Sequence, residues 1–101
     1  MKKIINGKKY DTETAKILGS AGYSYPGDFS YWQETLYRKK TGEFFVHGIG
    51  GPLSKYARSI GLNEWTGGEE IIPLSPKKAQ EWAKKHLEVE EFEQLFGEVE
   101  E

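Results

Sequence analysis

From Tyr31 to Lys39 the chain changes character at every second residue. Trp32, Glu34, Leu36 and Arg38 fall on one side, with Tyr31, Gln33, Thr35 and Tyr37 on the other. A period of two is that of a β-strand, whose successive side chains point to opposite faces. Lys40-Thr41-Gly42 supplies a turn, and Glu43 to His47 reads as the return strand, so the middle of the chain is predicted to be a β-hairpin. An earlier hairpin is predicted at Ile4 to Tyr10, because Asn6-Gly7 is the dipeptide that accepts positive φ at both central positions of a type I′ turn.

Elsewhere the apolar spacing is helical. Ser75-Pro76 is a helix start, with serine as N-cap and proline at the first position. Ala79, Trp82, Ala83, His86 and Leu87 then lie on one face of a helix running from 76 to about 87. Val89, Phe92, Leu95 and Phe96 predict a second short helix that ends at Gly97. Leu53, Tyr56, Ala57 and Ile60 have i, i+3, i+4, i+7 spacing behind Pro52, which predicts a further helix ended by Gly61. Asp11 or Thr12 reads as the cap of a short helical turn from Thr14 to Leu18, followed by a loop over 19–30. Gly48 to Gly51 is expected to break the return strand, and Trp65 to Gly68 to form a turn. Glu70 to Leu74 is a short strand that Pro73 confines to a sheet edge. The expected fold is α+β: a small antiparallel sheet built from two hairpins and a short edge strand, with helices that include a C-terminal pair.

At 101 residues one domain is the default, spanning 1–101 with an acidic, frayed end over 88–101. Apolar residues make up only 37%, but the 14% aromatic content supplies a modest core from large side chains. No apolar run approaches the ~20 residues of a membrane span, and the opening is not a signal peptide. With no cysteine, disulfides and thiolate metal sites are excluded, and a cytoplasmic location is favoured. His47 and His86 lack the spacing of a zinc pair. No serine or threonine sits in an elbow motif and no carboxylate pair stands out, so binding without a cofactor is expected, and catalysis is not.

Three stretches are candidate sites, each with a plainer structural reading beside it. His47, Gly48, Gly50, Gly51, Ser54 and Lys55 lie between a strand and an expected helix, where glycines and a helix N-terminus would favour an anion or nucleotide. The Walker and dinucleotide spacings are missing, and a tight connection accounts for the same residues. If the loop binds a ligand, Gly50→Val should abolish binding and leave the fold intact. Arg38, Lys39 and Lys40, with nearby tyrosines and a tryptophan, would meet nucleic acid as in a small DNA-binding regulator, or simply solubilise a hairpin tip. The third is acidic. Residues 1–60 carry a net charge of +5 and residues 61–101 carry −7, with no Lys or Arg after Lys85. Glu88, Glu90, Glu91 and Glu93 on a helix would imitate a phosphate array and occupy a basic channel on a partner, or serve only solubility.

Two stretches carry a family resemblance. Lys3-Ile4-Ile5-Asn6-Gly7-Lys8-Lys9-Tyr10-Asp11-Thr12-Glu13-Thr14-Ala15 resembles the opening of small accessory proteins of phages, plasmids and conjugative elements of Gram-positive bacteria. Glu34 to Arg38, Gly42 to Gly48 and Gly50 to Ala57 resemble a core shared by a similar set, and Ile72-Pro73-Leu74-Ser75, Ala79, Trp82 and Phe96-Gly97 fit the same pattern. Some proteins with this opening resemble type II anti-CRISPR proteins. The resemblance implies a counter-defence protein in the cytoplasm of a bacterial host, inhibiting a nuclease complex by stoichiometric binding, and it carries over no catalytic residue. A small-ligand or nucleotide sponge using the glycine loop is the rival reading.

Overall fold

A computed structural model describes residues 1–100. The fold is α+β, with small antiparallel sheets followed by two helices. The N-terminal hairpin pairs β1 (Lys2–Ile5) with β2 (Lys8–Asp11). Asn6 and Gly7 have φ of 52° and 78°, the left-handed pair that the turn needs.

Four strands make the central sheet: β3 (Lys16–Tyr23), β4 (Trp32–Arg38), β5 (Phe44–Gly50) and β8 (Gly68–Leu74), in the order β3-β4-β5-β8. The alternation along β4 sorts the two faces. Leu36 packs with Phe44, Val46 and Ala79 beneath helix α1 (Pro76–His86), joined by Leu18, Leu74, Trp82 and Phe96. Tyr37 faces the other way, stacked on Phe45 at 5.0 Å with Tyr10 of the N-terminal hairpin edge-on to Phe45 at 5.5 Å. The helices thus cover one face, and the first hairpin covers one end of the other.

Helix α1 begins as expected: the Ser75 hydroxyl accepts from the Lys78 amide at 3.2 Å. Ala79 and Ala83 are fully buried, small enough to bring the helix close to the sheet. Helix α2 (Val89–Phe96) buries Phe92 and sets Phe96 against Phe44, and Gly97 ends it with φ of 98°. Pro73 lies, as expected, in an edge strand, since β8 pairs only with β5.

Four segments differ from expectation. Asp11 does cap a turn, its Oδ1 accepting from the Glu13 amide at 2.9 Å, but the turn is a single one. The chain enters β3 at Lys16, so the helical turn to Leu18 is absent and the loop begins only after Tyr23. One turn cannot meet the cost of helix nucleation, whereas pairing with the whole of β4 satisfies the same backbone. Gly48 does not break β5, which continues to Gly50 between β4 and β8. No helix forms over 53–60: residues 52–56 are turns, followed by β6 (Arg58–Gly61), which pairs with β7 (Glu64–Thr66) where a plain turn was expected. The helical spacing there has nothing to pack against, for Leu53 and Ile60 lie in solvent. The central sheet is therefore one hairpin with a strand added on each side, and the molecule has a third, small hairpin. No helix among the described residues is long and apolar enough to cross a membrane.

Candidate functional site

The glycine-rich stretch is filled by the chain's own atoms. A Cβ on Gly48 would stand 2.0 Å from the Tyr56 ring, one on Gly50 would stand 2.2 Å from the Ser54 hydroxyl, and one on Gly51 would stand 2.5 Å from the Phe29 carbonyl oxygen. Ser54 spends its hydroxyl locally, donating to the Gly51 carbonyl at 2.8 Å and accepting from the Tyr56 amide at 3.1 Å. His47 belongs to the opposite face of β5 from Gly48, with Nε2 2.7 Å from a Glu69 carboxylate oxygen. The six loop candidates therefore do not converge on one cradle. A valine at Gly50 cannot leave the fold intact, so the substitution does not separate a ligand role from a structural one.

What the loop builds instead centres on Glu34, only 2% exposed, on the helix-covered face of β4. One carboxylate oxygen accepts from the Trp82 indole N–H at 2.9 Å, and the other accepts from the Tyr56 hydroxyl and the Lys55 ammonium. A buried carboxylate is tolerable only when its lone pairs are so engaged. Three separate elements meet here: β4, the 52–57 turns and α1. Trp82 also sets His86 at 4.9 Å, with Trp32 beyond it at 5.9 Å from that imidazole. Burial alone would raise the Glu34 pKa, but hydrogen bonds from Lys55, Tyr56 and Trp82 outweigh it and hold the carboxyl below its ordinary value. Burial, then the hydrogen bond to Glu34 and that group's charge, push the Tyr56 phenol far up. Burial lowers His86, partly offset by Glu34.

These directions give stability a defined pH profile. In acid the unfolded chain binds protons that native His86 and Glu34 resist, so their contribution is present at neutral pH. It is lost as pH falls below 6.5 for the histidine and then below 4.5 for the glutamate. Native Tyr56 stays protonated while an unfolded tyrosine ionises, so stability also declines above pH 10. Urea midpoints followed by tryptophan fluorescence across that range should trace a dome, and Glu34→Gln should flatten its acidic limb. An acidic limb unchanged by the substitution would refute the assignment.

The basic hairpin tip is partly committed to packing. Lys39 lies 4.3 Å over the Tyr10 ring and 3.3 Å from Glu43, and Arg38 lies over the Phe44 ring at 5.4 Å, while Lys40 is exposed. On α2, Glu91 accepts from the Glu88 amide at 3.4 Å and Glu93 from the Val99 amide at 3.0 Å. Glu88, Glu90 and Glu91 are exposed, and among the described residues none of the four candidate carboxylates is ion-paired.

A further surface is the aromatic loop over 23–31. Tyr25 and Phe29 are each 66% exposed and Tyr23 is 57% exposed. The loop is nevertheless ordered: Asp28 accepts from the Ser24 hydroxyl at 2.6 Å and the Ser30 amide at 2.8 Å. Leu53 joins it, its amide donating to the Phe29 carbonyl at 2.8 Å. Gly67, which follows the third hairpin, lies against Gly50 and Gly51, so that hairpin leaves from the same end of the sheet. It carries Ile60, Leu62 at 93% exposure and Trp65 at 58%. Seven large apolar side chains thus stand in solvent on segments that leave this end of the sheet. Among the described residues, no group of three or more His, Asp or Glu side chains is placed to hold a metal ion. No protein-family model, curated protein or solved structure matches the chain.

Proposed function

We propose that this chain is a binding protein that acts stoichiometrically on a protein partner, and that the apolar end of the sheet makes the contact. The observation that carries the reading is the exposure of Tyr23, Tyr25, Phe29, Leu53, Ile60, Leu62 and Trp65 on segments that leave one end of the sheet. Exposed apolar groups gathered in one place mark interaction sites, and tyrosine and tryptophan are the usual anchors of an interface. The partner class follows from the resemblance of the opening and middle segments: a host nuclease complex of the CRISPR type, so that the protein serves counter-defence for a phage or mobile element.

The exposed carboxylates of α2 favour a secondary contact in which Glu88, Glu90 and Glu91 meet a basic channel and speed association. A nucleotide sponge draws less support, since the glycine loop is closed by Tyr56, Ser54 and Phe29. A DNA-binding role draws less as well, since Lys39 and Arg38 are spent on Tyr10, Glu43 and Phe44.

Titration of the protein into DNA-cleavage reactions of purified type II CRISPR nucleases tests the proposal. Inhibition of at least one nuclease should reach saturation near one inhibitor per complex. No inhibition across the set at micromolar protein would remove the counter-defence reading.

A further inference from the structure

The two edges of the central sheet are unlike. On β8, Pro73 removes a backbone donor, Glu69 and Glu70 add charge, and the Arg58 guanidinium donates to the Glu69 carbonyl oxygen at 2.6 Å. These are the devices that stop a strand from accepting a neighbour. β3 has fewer of them: Lys16 at its start and a β-bulge between Ile17 and Gly19, which leave the regularly paired stretch from Gly19 to Tyr23 open. The strand is eight residues long, has no proline, carries no charge from Ile17 to Tyr23, and pairs only with β4. Among the described residues, no backbone hydrogen bond joins β3 to any segment other than β4. Alternate residues of such a strand turn their N–H and C=O groups outward.

Two open grooves lie beside this edge. At the Tyr23 end, one of about 330 Å³ is lined by Ser20, Ala21, Gly22, Ser24, Tyr31 and Trp32, among others. At the Lys16 end, one of about 310 Å³ is lined by Lys16, Arg38, Lys39 and Lys40 with Thr14 and Ala15. Lys39 is already paired and Arg38 lies over the Phe44 ring, so Lys16 and Lys40 supply the free charge.

We infer that β3 is a strand-addition site that takes an extended segment of a protein partner, antiparallel to β3, with acidic residues at the segment's C-terminal end. Every pair in the sheet is antiparallel, so an added strand of the same sense starts beside Tyr23 and finishes beside Lys16. Backbone bonds along β3 provide affinity, and the grooves at its two ends provide the choice of side chain. The basic end selects carboxylates, and the hydroxyl-lined end accepts a neutral residue. The inference rests on the reading of the chain as a protein-binding module, but names a surface that meets the apolar end only at Tyr23.

The test uses the full chain and synthetic peptides, with no partner present. An acetylated Thr-Tyr-Thr-Val-Thr-Val-Glu-Glu peptide is titrated against isotope-labelled protein, beside the same peptide ending in Lys-Lys. Amide shifts and slowed hydrogen exchange should map to β3, with the acidic peptide bound about fivefold more tightly, as expected of one or two exposed ion pairs. The doubly substituted Lys16→Glu, Lys40→Glu protein should reverse that preference. Changes confined to other elements, or none up to millimolar peptide, would overturn the inference. So would protection of β3 that grows with protein concentration alone, because the edge would then belong to a second copy of the chain. Failure here leaves the apolar-end reading standing, since that reading depends, Tyr23 apart, on residues outside β3 and on a folded partner.

Discussion

Glu34→Leu is expected to cost about 3 kcal/mol and to lower the melting temperature by about 12–24 °C, as unfolding of a domain of this size scales. Leucine fills comparable space but accepts no hydrogen bond. The Tyr56 hydroxyl and the Trp82 indole N–H, both turned toward the carboxylate, would lose their acceptor inside the fold. An orphaned buried donor costs its full desolvation penalty, whereas removing both partners together can be nearly neutral. The double variant Glu34→Leu, Tyr56→Phe should therefore recover about 1–2 kcal/mol of the loss. Lys55→Met should cost about 1–3 kcal/mol, less than Glu34→Leu, because it removes a cation from the buried carboxylate while Tyr56 and Trp82 still donate to it. A Glu34→Leu protein that melts within a few degrees of the wild type would show that the carboxylate does not tie β4, the 52–57 turns and α1 together.

The second large effect concerns binding and not stability. Leu62 and Trp65 stand on the third hairpin and are mostly in water, so Leu62→Ser with Trp65→Ser should leave the melting temperature within a few degrees of the wild type. The same pair should weaken partner binding by at least about 30-fold, since truncating a buried interface anchor costs about 2 kcal/mol or more. The contrast with Glu34 is useful. One substitution damages the scaffold, and the other removes contact surface from an intact scaffold.

Local chemistry made much of the fold legible. Asn6-Gly7, the alternation from Trp32 to Arg38, Ser75-Pro76 and Gly97 each fix their own neighbourhood, and each stands where the sequence places it. The misread segments are those whose structure depends on distant strands. Ile17 and Leu18 are drawn into β3 by β4, and Gly48 stays in β5 because strands flank it on both sides. Leu53, Tyr56, Ala57 and Ile60 have helical spacing by coincidence: Tyr56 is held by Glu34 across 22 residues while Leu53 and Ile60 face solvent.

The Glu34 cluster was hidden for the same reason. Its donors sit 21, 22 and 48 residues further along the chain, and an alternating strand gives no sign that one of its polar residues is buried. The glycines beside it did carry a signal, but of close approach by the protein's own tyrosine and serine. The aromatic content of residues 23–31 was visible, whereas its exposure follows from the loop standing beyond the end of the sheet, with no helix above it.

The most direct test of the binding account is a pull-down of the tagged protein from lysate of a host bacterium at low salt, read by mass spectrometry and run in parallel with the Leu62→Ser, Trp65→Ser variant. The account predicts one protein or complex retained in stoichiometric amount by the wild type and lost by the variant, while both melt alike. Equal retention by the two proteins would contradict the apolar end as the contact surface, and a small molecule in place of a protein in the wild-type eluate would contradict the protein-binding account itself.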